Sequence, residues 1–394
     1  MKARRAGVNR LAGVGAVATT LSLFGCATGN RDSLPADTAE YSAADDTLRF
    51  DGERYFANVR QLTFGGNNAE AYWDPDGDRL VFQSDHADIN PQGCDQIFVM
   101  NADGSNVDGS NVDGSSPDGS NVAGGARYQL ASTGRGRTTC GYFLPGGRVL
   151  YASTHAADPE CPAPVFSAEG RYVWPVYPAY DIYAANADGS NLELLIGGDG
   201  YDAEATVSPD GRYVVFTSSR SGDLELWRYE IATGNLLQLT DELGYDGGAF
   251  FSPDSRRIVW RASRPAGEDA DVYRQLLADY KVEPSALNIF VANADGSNVR
   301  QVTDLPGANW APFFHPDGDR IVFTTNHHSV DTNPRLFDIF IVDVDGTGLE
   351  QVTHSGVFDA FPMFSPDGSQ IVFSSNRGAD DPRDTNVFVA DWVE

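Results

Sequence analysis

The sequence predicts an all-β protein: a six-bladed β-propeller with four-stranded antiparallel blades. Three observations carry that prediction. First, a strand–turn–strand signature recurs six times, as WDPDGDRLVF, FLPGGRVLY, VSPDGRYVVF, FSPDSRRIVW, FHPDGDRIVF and FSPDGSQIVF, with turn prolines at 75, 145, 209, 253, 316 and 366. Second, an Asp-Gly turn follows, as NADGSN at 101–106, 186–191 and 293–298 and as VDGTG at 344–348. Third, apolar runs such as QIFVM, DIYAA and NIFVA precede these turns, and short runs such as VRQVT and LEQVT follow them. Proline presets φ for the first turn and glycine accepts the left-handed conformation, so each repeat is two hairpins in series. Four strands in as few as 44 residues, the spacing of Pro209 and Pro253, is the length of a propeller blade.

The amino-terminal segment is read separately. Lys2, Arg4, Arg5 and Arg10 precede the apolar stretch LAGVGAVATTLSLFG, which is too short to span a bilayer and reads as an export signal over residues 1–25. The run Leu23 to Cys26 resembles a bacterial lipobox, which implies lipidation at Cys26. Ala27 after the cysteine implies outer-membrane rather than inner-membrane sorting, by the same resemblance. Residues 26–46 read as a flexible tether and 47–394 as the propeller.

Removing the signal leaves 24 basic against 56 acidic residues, a formal charge of −32. Such a field excludes nucleic acid and anionic lipid as partners, so membrane contact is expected only through a lipid anchor. The protein reads as a monomer with no cofactor.

The blades follow in order. The tandem Asp-Gly stretch at 100–125 lies in the turn between the third and fourth strands of blade 1. It lacks the alternating carboxylates and closing glutamate of a calcium loop. Blade 2 carries an insert over 156–180 with Phe166, Tyr172, Trp174, Tyr177 and Tyr180 among prolines, a stiff aromatic contact surface. Blade 4 carries an insert over 265–286, where Val272, Tyr273, Leu276, Leu277 and Tyr280 recur at helical spacing. The sixth repeat stops after its third strand, NVFVADW. ANVRQLT at 57–63 supplies the missing fourth, so pairing of the two ends closes the ring.

These six Pro-Asp-Gly strands with their NADGSN and QLT punctuation resemble the TolB-type propeller family over residues 57–394. The resemblance implies a binding scaffold in the bacterial envelope. The domain that precedes the propeller in TolB itself has no counterpart here, so a Tol–Pal role does not follow. Related propellers are fused to peptidases, and one oligogalacturonate lyase uses such a ring with a metal.

The six repeats align with one another. Seven residues before each turn proline stand Asn68, Thr138, Asp202, Asp246, Asn309 and Asp359, and at each second strand's end stand His86, His155, Arg220, Arg264, His327 and Arg377. Asp always matches Arg, and Asn or Thr always matches His. Two readings follow: each blade pins its own hairpin by an ion pair or an amide–imidazole bond, or the tunnel mouth binds a ligand, with Glu70 and Glu204 adding charge. The candidate binding face comprises these residues with Trp174 and Tyr177.

Cys94, Cys140 and Cys161 fall on the same face. They admit a disulfide, with Cys94–Cys161 the pair expected, and their spacing matches no closed zinc motif. No G-x-S-x-G, H-E-x-x-H or phosphate loop is present. The leading expectation is therefore a non-catalytic envelope scaffold for a protein, peptide or glycan. The alternatives are a metal-dependent polysaccharide lyase or hydrolase using His86, His155 and His327, or a propeller gating substrate to a separate peptidase.

Overall fold

The computed structural model describes residues 47–107, 127–162, 171–379 and 381–394, with the backbone of 167–168. Cys26, the tether, Phe166 and most of the Asp-Gly stretch lie outside the described residues. Six four-stranded antiparallel sheets form the blades, and the one α-helix among the described residues is Glu268–Ala278.

The first strands, Asn68–Trp73, Thr138–Phe143, Asp202–Val207, Asp246–Phe251, Asn309–Phe314 and Asp359–Phe364, lie innermost and touch those of neighbouring blades. The ring closes as the sequence implies. Phe56–Gln61 pairs antiparallel with Asn386–Trp392, so blade 6 takes its fourth strand from the other end of the chain. Leu62 and Val387 extend that seam by a backbone bond of 2.8 Å. The apolar runs of the second strands are packed between blades: Leu80, Val81, Phe82, Val214, Phe216, Val322, Phe323, Val372 and Phe373 are all buried.

The QLT punctuation has a definite task. Thr63, Ser132, Thr240, Thr303 and Thr353 each accept a backbone N–H near the start of a third strand. Each also donates its hydroxyl to that strand's first side chain, Asn386, Gln96, Glu225, Asn288 or Asp338. The fourth strand is thereby locked to the third where its ladder ends.

Every inner strand also carries a bulge. Register shifts between its second and fifth residues in all six blades, and the third residue sits at positive φ: Glu70, Cys140, Glu204, Gly248, Ala311 and Phe361. Five of these six are not glycine. Bulges re-aim side chains, and repeating one six times builds a circle of altered side-chain directions around the axis.

Candidate functional site

The tunnel does not run through the ring. The fifth residues of four inner strands, Tyr72, Tyr142, Phe250 and Phe313, meet on the axis. Tyr72 and Phe250 belong to opposite blades yet their ring centroids are 5.4 Å apart. Tyr142 lies 6.1 Å and Phe313 5.3 Å from Phe250, so the four rings form one layer across the bore.

On the loop-rich side of this layer lies a polar group built from the bulge residues. Glu204 accepts hydrogen bonds from Tyr201 (3.0 Å), Tyr245 (2.6 Å) and Thr217 (3.1 Å), and an ion pair from Arg261 (3.1 Å). Arg261 also donates to the Tyr245 hydroxyl at 2.6 Å, and its guanidinium lies over the rings of Trp174 and Tyr245. Its carboxylate and phenol neighbours hold its pKa high in spite of burial. Gly247 and Gly248 stand where other blades carry side chains. A Cβ on Gly248 would overlap the Arg261 guanidinium, so the Gly-Gly pair is what lets that arginine reach the axis. Glu70 is half-buried here; burial raises its pKa to about 7, against the lowering influence of the Cys140 thiol and Arg261. Burial and the nearby carboxylates push the Cys140 thiol up as well, so it is a poor nucleophile.

The two inserts meet over blade 3. Trp174–Pro175 pairs with Lys281–Val282, Val176 N–H donates to the Tyr280 carbonyl (2.8 Å), and Arg171 pairs with Glu283 (2.8 Å). The helix is tied down by Tyr273, which is buried and donates its hydroxyl to Asp223. Trp174 reaches the axis, edge-on to Tyr245 and to Trp310. Together the inserts form a strap from blade 2 to blade 4. A cavity of about 320 Å³ lies beneath it, lined by Val176, Tyr201, Ser219, Arg274, Leu277 and Tyr280 among others. Trp174 and Tyr177 are half-buried in this strap rather than held out as free contacts.

The aligned ring positions are not the open mouth expected of them. Asn68, Thr138, Asp202, Asp246, Asn309 and Asp359 are all buried, because each inner strand begins against the third strand of the preceding blade. They are joints between blades. Arg220 Nη2 lies 2.7 Å from Asp202, Arg264 grips Asp246 with two bonds of 2.8 Å, and Arg377 pairs with Asp359 at 2.9 Å. In the other type the amide and the histidine meet through a hydroxyl, at the imidazole in blade 5 and at the backbone N–H in blade 1. In blade 5 Thr325 donates to Asn309 at 2.5 Å and lies 3.1 Å from His327 Nδ1; in blade 1 Ser84 donates to Asn68 and accepts the backbone N–H of His86, not its ring. In blade 2 Ser153 contacts His155, while Thr138 bonds the Asp95 carbonyl. Burial lowers the pKa of His155 and His327, keeping them neutral partners. These histidines and arginines lie two residues beyond the last paired residue of the second strand.

A third member of each joint went unrecognised in the sequence. The first residue of the preceding blade's third strand is Asp181, Glu225 or Asp338 beside the Asp–Arg joints, and Asn386, Gln96 or Asn288 beside the histidine joints. Acid thus accompanies arginine, and amide accompanies imidazole, without exception. One guanidinium cannot neutralise two buried carboxylates, so burial raises Glu225 to about 8, Asp338 to about 7 and Asp246 to about 6.

Cys94 and Cys161 form a disulfide, with Cα atoms 5.6 Å apart, that staples the blade 1 loop to the blade 2 insert; Cys140 is free. Among the described residues no three His, Cys, Asp or Glu side chains converge as a metal site. His86, His155 and His327 each belong to a separate joint.

The class so defined is a six-bladed propeller with a blocked axis and a built-up face. Residues 274–382 match the family model described as the TolB beta propeller domain. An uncharacterized protein of Agrobacterium fabrum is 28% identical over 149 residues, 36% of this chain and 46% of that protein. The Tol-Pal system protein TolB of Bordetella pertussis is 26% identical over 163 residues, 41% of this chain and 33% of that protein. The matches thus span between a third and a half of these curated relatives. A solved structure from Agrobacterium tumefaciens assigned as a TolB superposes with a TM-score of 0.50 at 17% identity, covering 85% of this chain and 97% of that one. The chain thus has the propeller fold and is similar to the TolB-type propeller family, whose model it matches over residues 274–382.

Proposed function

We propose that this protein is a non-catalytic binding scaffold of the bacterial envelope, exported, lipid-anchored at Cys26, and offering its loop-rich face to a protein, peptide or glycan. The observation that carries this reading is the aromatic layer on the axis together with the strap on one face. A bore closed by Tyr72, Tyr142, Phe250 and Phe313 is a recess rather than a passage, which counts against gating substrate to a peptidase through the ring. The strap is extra structure that four of the six blades lack, and it adds aromatic relief to the face bearing the recess. The titratable groups at the axis serve each other: Glu204 is saturated by four donors, and the Cys140 thiol is held protonated.

In-cell photo-crosslinking tests this reading. A photoreactive residue replacing Tyr172 or Tyr280, both exposed on the strap, should trap a discrete envelope partner, whereas one replacing Leu236 on blade 3's outer strand should not. Equal trapping from both positions, or an activity of the purified protein abolished by chelator, would overturn it. Lipid attachment is tested separately, by loss of the acyl mass increment in Cys26→Ser.

A further inference from the structure

The three arginine joints are equivalent in the repeat but not in what completes them. Arg377 has no exposed side-chain surface. Beyond Asp359 it receives a second carboxylate, Glu53, from the segment that leads into the closing strand, with contacts of 3.0 and 3.2 Å. The Leu48 carbonyl caps the same guanidinium, and the Phe50 ring lies 5.5 Å away. Arg264 likewise receives a second carboxylate, Glu242, at 3.1 Å. Its three nitrogens are thereby all engaged.

Arg220 is different. Its Nη2 bonds Asp202 and its Nε bonds Ser218, and Asp202 is the one carboxylate among the described residues within ion-pair distance. The Arg220 side chain is 19% exposed, and its guanidinium rests on Phe216 and Trp227, whose rings hold it in one orientation. The position four before Asp246 is Glu242. Its counterpart four before Asp202 is Gly198, where an added Cβ would meet nothing within 4 Å. Blade 3 therefore has the arginine, its orienting rings and the open space, with Asp181 beside the joint but no second carboxylate paired with the guanidinium.

We propose that Arg220 is the docking point for a carboxylate of the partner, taken as Arg377 takes Glu53. The proposal rests on the loop-rich face being the binding face and names the chemistry recognised there. A polyanion is a poor occupant, because the formal charge of the whole chain is −28 even with its basic leader counted. The internal precedent shows what fits instead. In LRFDGERY, residues 48–55, the glutamate follows a turn at Gly52 and is flanked by Arg49 and Arg54, so the segment carries no net charge. The occupant is thus an acidic side chain on a tight, charge-balanced turn of a partner protein. Planar two-point contact with a carboxylate is the task for which arginine, and not lysine, is suited.

The probe is the acetylated, amidated peptide of residues 48–55, titrated into the folded protein while the arginine Nε–H signals are followed by NMR. The expected result is a saturable shift of the Arg220 signal, with Arg264 and Arg377 unmoved because both are already filled. Arg220→Lys, which keeps the charge opposite Asp202, should weaken the peptide about fivefold or more with the thermal midpoint nearly unchanged. An unmoved Arg220 signal, or three signals shifting together as in unspecific ion binding, would overturn the proposal. If the partner trapped at the strap binds Arg220→Lys as well as it binds the wild type, this proposal fails while the binding-face reading stands.

Discussion

Replacing Arg377 by methionine tests the joint that holds the ring shut. Arg377, Glu53 and Asp359 have no exposed side-chain surface, so the substitution leaves two carboxylates sealed away from water without a cation. Removing one partner of such a group costs about 3–5 kcal/mol. A propeller of this size has an unfolding entropy of roughly 0.7 kcal/mol/K, from about 2.1 cal/mol/K per residue, so the midpoint should fall by about 4–7 °C. Position matters as much as size. Glu53 lies three residues before Phe56, where the closing strand begins, so hydrogen exchange should quicken along Phe56–Gln61 more than in any other fourth strand. Calorimetry and exchange mass spectrometry read both effects. Replacing Glu53 and Asp359 by leucine in the same variant should recover most of the loss, since the uncompensated charge is then gone. A midpoint lowered by less than about 1 °C, or exchange unchanged at Phe56–Gln61, would refute the reasoning.

The acidic joints also make stability depend on pH. Burial raises the Glu225 carboxyl to about 8 and Asp338 to about 7, so the folded chain holds these protons more tightly than the unfolded one. Their contribution is full below the unfolded values and is lost as pH rises through 7 and 8; Glu225→Gln should flatten the fall in denaturation midpoint between pH 5 and pH 9. Gly248→Ala places a methyl group against the Arg261 guanidinium at a left-handed φ of 59°; calorimetry should show a loss of about 1–3 kcal/mol. The Cys94–Cys161 bond closes a loop of 67 residues in sequence separation, so Cys94→Ser with Cys161→Ser should cost about 4 kcal/mol on denaturant titration.

The ring was legible because its signals are local and repeated. Pro-Asp-Gly and Asp-Gly turns can be read within ten residues, and six copies fix both the blade count and the origin of the last strand. The Asp–Arg pairing was legible too, since repeats can be aligned with one another. What escaped depends on neighbours distant in the chain. Burial of Asp202 and Asp246 comes from the preceding blade, and alignment within a hairpin does not reveal that neighbour. The third joint residue was nevertheless in view: Asp181, Glu225 and Asp338 against Asn386, Gln96 and Asn288 is a pattern that offsetting the alignment by one blade would have exposed. Arg261 was signalled by Gly247 and Gly248, an unusual pair inside a strand. Nothing in the order of residues announced the aromatic layer, because Tyr72 and Phe250 meet only when opposite blades face each other across a closed circle. The strap between inserts 106 residues apart, at Pro175 and Lys281, is invisible for the same reason.

The direct test of the account is whether recognition belongs to one face of a closed ring. Photoreactive residues placed at Tyr280 on the strap and, in a second strain, at Leu236 should be compared in living cells against the double variant Ala57→Cys, Asp391→Cys. Those two residues face each other across the closing seam, so oxidation should join them without disturbing the face. The account predicts that the cysteines link fully and that Tyr280, with or without the link, traps the same single partner while Leu236 traps none. Failure of the cysteines to link, or a partner trapped from Leu236 and not from Tyr280, would contradict it.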